Sequence, residues 1–367
     1  MNRIAAMAIA SAAVIGIVGG TYAATSGVLE SDDGNGSAGT TGTESSTPGD
    51  TQNPPATDQP SGTASTETPG TDDEPLLYMV GGTIHDGDTS VQVSGFRIGE
   101  VSSLQRVAGG WLVVSRTSSQ DAQFRAAFVD PSGETTPIGG TFVGTWDLND
   151  NRDSFVAMYD GAYQVRDARS GKVLQTITVD GEGEPSGEAA FSEDTLVTAW
   201  FGDDGPTLYG VDSYSGRQFK IVGDVYQIRT GPVEDLMTAS RTDGKECLTG
   251  GSIVDPDGWW SQCRFRGYGT QADYSPDGTR LLAVPADTEG MGPGRYAVLD
   301  ARTGKKMTTF TTPELGQEAY WAGDDEVFVH AFKDADFNGG VIYRCSLSGS
   351  CEVEVSSDQT LVVGTTA

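Results

Sequence analysis

Few residues in this chain have the types and spacing that chemistry requires. His85 and His330 are its only histidines, and a Ser-His-Asp or Cys-His arrangement needs a positioned imidazole. His330 sits inside the apolar run "EVFVHAF" and reads as a core or flanking residue; His85, in "GGTIHDGDTS", reads as part of a turn. There is no Gly-x-Ser-x-Gly elbow and no HExxH pair. "DADFNGG" sets Asp334, Asp336 and Asn338 at alternate positions, with Gly339 where a calcium loop turns sharply. The bidentate acid that such a loop needs is replaced by Cys345, so the expectation is a solvated turn. "DLNDNRD" from Asp147 is weaker still, because Arg152 replaces the glycine. No catalytic residue, cofactor or metal is expected on these grounds.

Such residues can act only if regular elements hold them, and the elements are legible as a repeat. Turns ending in glycine recur at Gly133, Gly171, Gly216, Gly258, Gly304 and Gly349, in steps of 38, 45, 42, 46 and 45 residues. An apolar run keeps the same period: "WLVVSR" from Trp111, "SFVAMY" from Ser154, "TLVTAWF" from Thr195, "DLMTAS" from Asp235, "RLLAVPA" from Arg280 and "EVFVHAF" from Glu326. Just before it comes an aromatic residue and an acidic turn, as in "YSPDG" at Tyr274–Gly278. Asp accepts backbone N–H bonds at such turns and Gly supplies the positive φ. Each repeat therefore predicts four short strands, with no convincing helix anywhere after the N-terminus. A four-stranded unit needs neighbours to cover its faces, and radial stacking provides them.

The repeat resembles the blades of WD-repeat and TolB-like β-propellers, over about residues 76–367. The strict Gly-His and Trp-Asp signature is absent, and "TWD" at Thr145–Asp147 falls at a different point in the unit. The resemblance implies an all-β propeller of exported bacterial type. Six blades fall at 98–137, 138–181, 182–222, 223–265, 266–310 and 311–355. A seventh would join the strands after residue 76 to a C-terminal strand in "TLVVGTTA". Seven four-stranded blades with this N/C-terminal closure are the expectation; six or eight are the alternatives. Closure also hides strand edges that would invite aggregation.

The repeat register also bears on the four cysteines, which allow three pairings. Cys247 and Cys263 fall on the third and fourth strands of one unit, and Cys345 and Cys351 on the same strands of another. Disulfides Cys247–Cys263 and Cys345–Cys351 are predicted, as suits an exported protein. Zinc binding would need knuckle-like spacing, which is missing. Loops between second and third strands should share a rim with the blade connections: "SRTSSQDAQF", "FGDDGPT", "RTDGKE", "ADTEGMGPGR" and "KDADFNGG". The connection "CRFRGYGT" is the one basic-aromatic cluster, making Arg264, Arg266 and Tyr268 a candidate binding rim. Trp146 and Trp321 occupy equivalent positions and should pack between blades, while Trp259 and Trp260 should cover an outer edge.

The N-terminus explains where the molecule belongs. Residues 1–25 carry one Arg and then an apolar run, which reads as a cleaved signal peptide or a retained membrane anchor. Residues 26–75 are Ser, Thr, Gly and Pro with ten acids, no Lys and no Arg, and read as a disordered linker. The whole chain has a formal charge of −29. Removing the linker's ten negative charges and the signal's single Arg leaves about −20 on the folded part, which argues against nucleic acid. These features imply an extracytoplasmic, secreted or anchored, non-catalytic binding or scaffolding module whose partner is a protein or small ligand. The alternative is a propeller-type enzyme (hydrolase, lyase or lactonase) with a metal or carboxylate site at the central channel.

Overall fold

The computed structural model describes residues 75–364 apart from 118–122, 178–182, 193–194, 203–204, 213–215, 224, 231–234, 243–244, 254, 256–257, 267–273, 289–293, 313–315 and 334–338. Residues 1–74, which hold the expected signal or anchor and nearly all of the expected linker, therefore lie outside the described residues. A chain rich in β-branched residues and glycine-closed turns folds here into antiparallel sheets. The first holds β1 (Leu77–Val80), β2 (Thr83–Asp86) and β3 (Thr89–Gln92), with the C-terminal strand β27 (Leu361–Val363) beside β1, in the order β27-β1-β2-β3. A 3-10 turn at Ile98–Glu100 leads into the second sheet. This sheet has seven strands: β4 (Val101–Val107), β5 (Gly110–Arg116), β6 (Gln123–Val129), β7 (Thr135–Leu148), β8 (Ser154–Tyr159), β9 (Ala162–Asp167) and β10 (Val173–Ile177).

Four sheets of four strands follow in chain order. The third holds β11 (Glu184–Ser192), β12 (Thr195–Gly202), β13 (Gly205–Asp212) and β14 (Gln218–Gly223). The fourth holds β15 (Val225–Thr230), β16 (Asp235–Thr242), β17 (Lys245–Ser252) and β18 (Trp260–Gln262). The fifth holds β19 (Phe265–Arg266), β20 (Arg280–Pro285), β21 (Arg295–Asp300) and β22 (Lys306–Thr311). The sixth holds β23 (Gly316–Trp321), β24 (Glu326–Ala331), β25 (Gly340–Ser346) and β26 (Cys351–Ser357).

The turns work as their sequences suggest. At Tyr274–Gly278, Ser275 Oγ donates to Asp277 Oδ1 at 2.6 Å, and Asp277 Oδ1 accepts the Thr279 N–H at 3.0 Å. Burial opposes ionisation of Asp277, yet the hydrogen bonds from Ser275 and Thr279 hold its carboxyl below the ordinary value. Asp167 and Asp300 accept hydroxyl bonds from Ser170 and Thr303 in the equivalent turns, each at 2.7 Å.

The central strands are apolar on both faces, because each sheet is covered twice. In β24, Val327, Val329 and Ala331 join Leu282, Val284 and Val298 of the fifth sheet in one core cluster. Phe328, on the other face, joins Leu76, Leu361 and Val363 of the first sheet. Similar clusters link the first sheet to the second, the second to the third, the third to the fourth and the fourth to the fifth. One more joins β5, β6 and β7 to β8 inside the seven-stranded sheet.

That seven-stranded sheet departs from the repeat reading, which places a boundary at 137/138. Strand β7 instead runs unbroken for 14 residues. Thr135–Phe142 pairs with β6, and Val143–Leu148 with β8. Glycine makes this passage feasible: Gly140 (φ 89°) and Gly144 (φ 79°) take left-handed backbone that L side chains avoid. A Cβ on Gly144 would lie 2.1 Å from the carbonyl oxygen of Gly187, so β7 and β11 meet backbone to backbone.

Gly144→Ala should therefore destabilise the protein by about 2–4 kcal/mol, through overpacking and a disfavoured φ. Gly139→Ala, whose Cβ would meet nothing within 4 Å, should stay within about 1 kcal/mol of wild type. Urea unfolding of the two variants checks the contrast.

Candidate functional site

Two cross-strand disulfides are the firmest covalent features. Cys345 and Cys351 face each other in the β25–β26 register and are bonded, with Cα atoms 4.0 Å apart. Cys247, in β17, bonds to Cys263 just after β18, again with Cα atoms 4.0 Å apart. Both pairings agree with the expected third-to-fourth strand positions, and the described residues contain no free cysteine. Disulfides of this kind persist in oxidising compartments, which suits an extracytoplasmic location.

The candidate rim residues divide. Arg264 is exposed, and its carbonyl accepts the Ala286 N–H at 2.9 Å. Arg266 is half-buried and donates from Nη2 to the Thr288 carbonyl at 3.0 Å, which ties the connection to the end of β20. Tyr268 lies outside the described residues, as do Asp334, Asp336 and Asn338. Arg295 pairs with Asp287 at 2.7 Å beside this segment, in an exposed setting where an ion pair contributes little. Phe201, at the end of β12, keeps 50% of its surface exposed, an unusual outlay for a large aromatic.

The polar groups near the first strand of each unit are mostly engaged. Thr145 Oγ1 donates to Glu188 Oε2 at 3.1 Å and accepts the Ala189 N–H at 3.0 Å. Asp147 Oδ2 accepts the Phe191 N–H at 2.9 Å. Burial, together with the nearby Glu188 charge, pushes the Tyr163 hydroxyl well above its ordinary pKa. Glu318 is enclosed by protein but keeps a solvent-touching surface, and Tyr320 donates its hydroxyl to Oε2. Desolvation raises the Glu318 carboxyl, with the Tyr320 bond working the other way. Among the described residues, no three His, Cys, Asp or Glu side chains gather as metal ligands would.

The histidines and tryptophans need some correction. His85 lies within β2 rather than in a turn: it stacks on Tyr78 at 4.6 Å, and its Nδ1 shares a 3.0 Å bond with Ser90 Oγ. His330 is in the core of the sixth sheet. Trp146 and Trp321 are buried in clusters between strand units, as expected. Trp259 and Trp260 do not cover one edge together. Trp259 packs toward the third sheet, whereas Trp260 packs toward the fifth and donates to the Ala301 carbonyl at 2.9 Å. Adjacent residues of an extended chain point in opposite directions, so one pair serves two interfaces.

Sequence reading missed the best-formed ion pair. Arg106 contacts Asp86 through Nε (3.0 Å) and Nη2 (2.7 Å), with only 17% of either side chain exposed. Trp111 Nε1 adds a 2.8 Å bond to Asp86 Oδ2, and Arg106 Nη2 also donates to the Pro75 carbonyl. This group joins the first two sheets and fixes the point where the N-terminal segment enters. Asp86 lies 20 residues before Arg106, too far for local periodicity to pair them.

No protein-family model matches the chain, and no curated protein matches it. Solved structures similar to it include a protein assigned as TolB from Agrobacterium tumefaciens, at 10% identity and TM-score 0.43, covering 62% of this chain and 86% of that one. TolB from Acinetobacter baumannii is another, at 13% identity and TM-score 0.44, covering 81% of this chain and 68% of that one.

Two outcomes are expected. Asp86→Ala, which removes the carboxylate that pairs with a mostly buried guanidinium and accepts the Trp111 N–H, should cost about 3–5 kcal/mol in chemical unfolding. Reduction should lower stability by about 2–4 kcal/mol per disulfide. The Cys247–Cys263 bond should matter more, since it closes a sequence separation of 16 against 6. Thermal scans of the two Cys-to-Ala double variants measure the difference.

Proposed function

We propose that this chain is a seven-bladed β-propeller acting as a non-catalytic binding module outside the cytoplasm. It hangs on the acidic linker of residues 26–75, behind the export segment of residues 1–25. Counted in fours, with β7 as the last strand of one blade and the first of the next, the six sheets make seven blades. The observation that carries this reading is the order of packing. Core clusters join each sheet to the next, and the sixth sheet packs on the first through Leu361 and Val363 of β27.

In such a ring, loops between second and third strands share one rim with the blade connections. Pro75 and Gly364, at the outer ends of β1 and β27, fall on the opposite rim. The linker then leaves from the turn rim, and the loop rim faces away from the attachment point. Arg264, Arg266 and the exposed Phe201 belong to the loop rim, where Arg and aromatic residues favour a protein partner. A formal charge of −29 weighs against nucleic acid. That Glu188, Glu318 and Asp147 are spent on internal hydrogen bonds supports a non-catalytic role.

The test is site-specific photo-cross-linking in the exported, full-length protein. A cross-linker at Arg264 should capture one envelope protein that the same cross-linker at Arg302, on the turn rim, does not. Arg264→Glu with Arg266→Glu should reduce capture from a third rim position, Phe201, by about tenfold or more, the loss of roughly 1.4 kcal/mol or above. Equal capture from both rims, or none from either, refutes the reading.

A further inference from the structure

The core of the sixth sheet holds one buried imidazole, His330. His330 is 7% exposed, and among the described residues its Nε2 has no hydrogen-bond partner. Its ring approaches Phe332 edge-on, with centroids 5.8 Å apart. An unsatisfied polar group inside a core is costly and calls for an explanation.

Its position suggests one. His330 shares a sheet face with Phe328 and Ile342, which pack on Leu361 and Val363 of β27. Gly340 lies between the ring and that strand: a Cβ there would be 3.1 Å from His330 Nε2 and 2.8 Å from Leu361 Cβ. The imidazole therefore sits against the seam where the last strand is held to the first. We propose that His330 is an acid-sensitive latch, whose protonation loosens β27 from β1 and from the sixth sheet.

Among the described residues, the charged groups around the seam leave an imidazolium uncompensated. From β23 comes Glu318, directly opposite His330 in the strand register. Burial raises the Glu318 carboxyl and so favours its neutral form, which carries no charge to balance an imidazolium. Arg344 on β25 is the near cation, and Glu326 (3.0 Å) and Glu354 (3.2 Å) already pair with it. Strand β1 brings Tyr78, whose hydroxyl is raised by burial and by Glu354, and behind it the stacked His85. Strand β27 itself, Leu-Val-Val, brings no charge. At the strand ends Lys333 is paired with Asp358 at 2.6 Å.

The sign follows from desolvation. Burial lowers the His330 pKa from 6.5 to about 4, so the folded seam resists a proton that the opened chain accepts. Latch stability is complete above pH 6.5 and is lost as the pH falls toward 4. Each pH unit in that window should cost up to about tenfold in the closing equilibrium. This device depends on the seam alone and stands whether or not the loop rim binds a protein.

Hydrogen exchange on the full-length protein tests it, at pH 7.5 and 4.5, with exchange times scaled to intrinsic rates. Wild type should lose protection at 77–80 and 361–363 by tenfold or more relative to β12 and β13. His330→Gln and His330→Phe should show no selective loss. Equal loss in wild type and variants overturns the proposal. Wild-type NMR needs no substitution: the His330 ring should titrate together with the loss of seam protection. An ordinary titration near 6.5 with the seam still protected also overturns it.

Discussion

A short antiparallel pairing between the first and last strands is the constraint on which the other sheets depend. Tyr78, Met79 and Val80 of β1 face Val363, Val362 and Leu361 of β27, and the Gly364 N–H adds a 2.8 Å bond to the Leu77 carbonyl. Backbone bonds contribute only about 0.5–1.5 kcal/mol each net, so so short a ladder is weak by itself. Its strength comes from burial, since Leu361 and Val363 insert against Phe328 and Ile342 of the sixth sheet. Without that insertion Phe328, Ile342 and Leu76 would face water, and the last sheet would be covered on one face only. Most other pairings join strands adjacent in sequence, whereas this one closes the longest loop in the molecule.

Polar groups follow a consistent division of labour. Those at turns satisfy local backbone: Asp130, Asp167 and Asp300 each accept bonds within four residues, and the carboxyls of Asp130 and Asp167 are held low by Ser132 and Ser170. Those between sheets act as ties, and Asp86 with Arg106 and Trp111 is the tightest of them. Most remaining ion pairs have at least one exposed partner, such as Asp325 (84%) or Asp358 (96%), and contribute little. A few sheltered groups thus hold the architecture, while the exposed charges contribute little to it.

Much of this was legible in the chain because it is local. The Asp-x-x-Ser/Thr-Gly turns form from hydrogen bonds spanning two to four residues, so their spacing reveals the strand rhythm. The same rhythm placed Cys247 with Cys263 and Cys345 with Cys351, since a pair of adjacent strands joined by one turn brings its cysteines opposite each other. Trp146 and Trp321 were legible in the same way, as equivalent positions in a repeat.

What the sequence by itself determined is therefore the all-β class, the strand units, the covalent staples and the acidic balance. Tertiary structure decided which faces meet. Nothing local told β7 to continue through Gly139 and Gly140 into the next unit, or Trp259 and Trp260 to turn toward different sheets. Nor could spacing find Asp86 with Arg106, or set His330 opposite Glu318 beneath the C-terminal strand. The reason is physical: turns and alternation are encoded within a few bonds, whereas a side chain's burial and ionisation depend on neighbours that arrive only when the sheets stack.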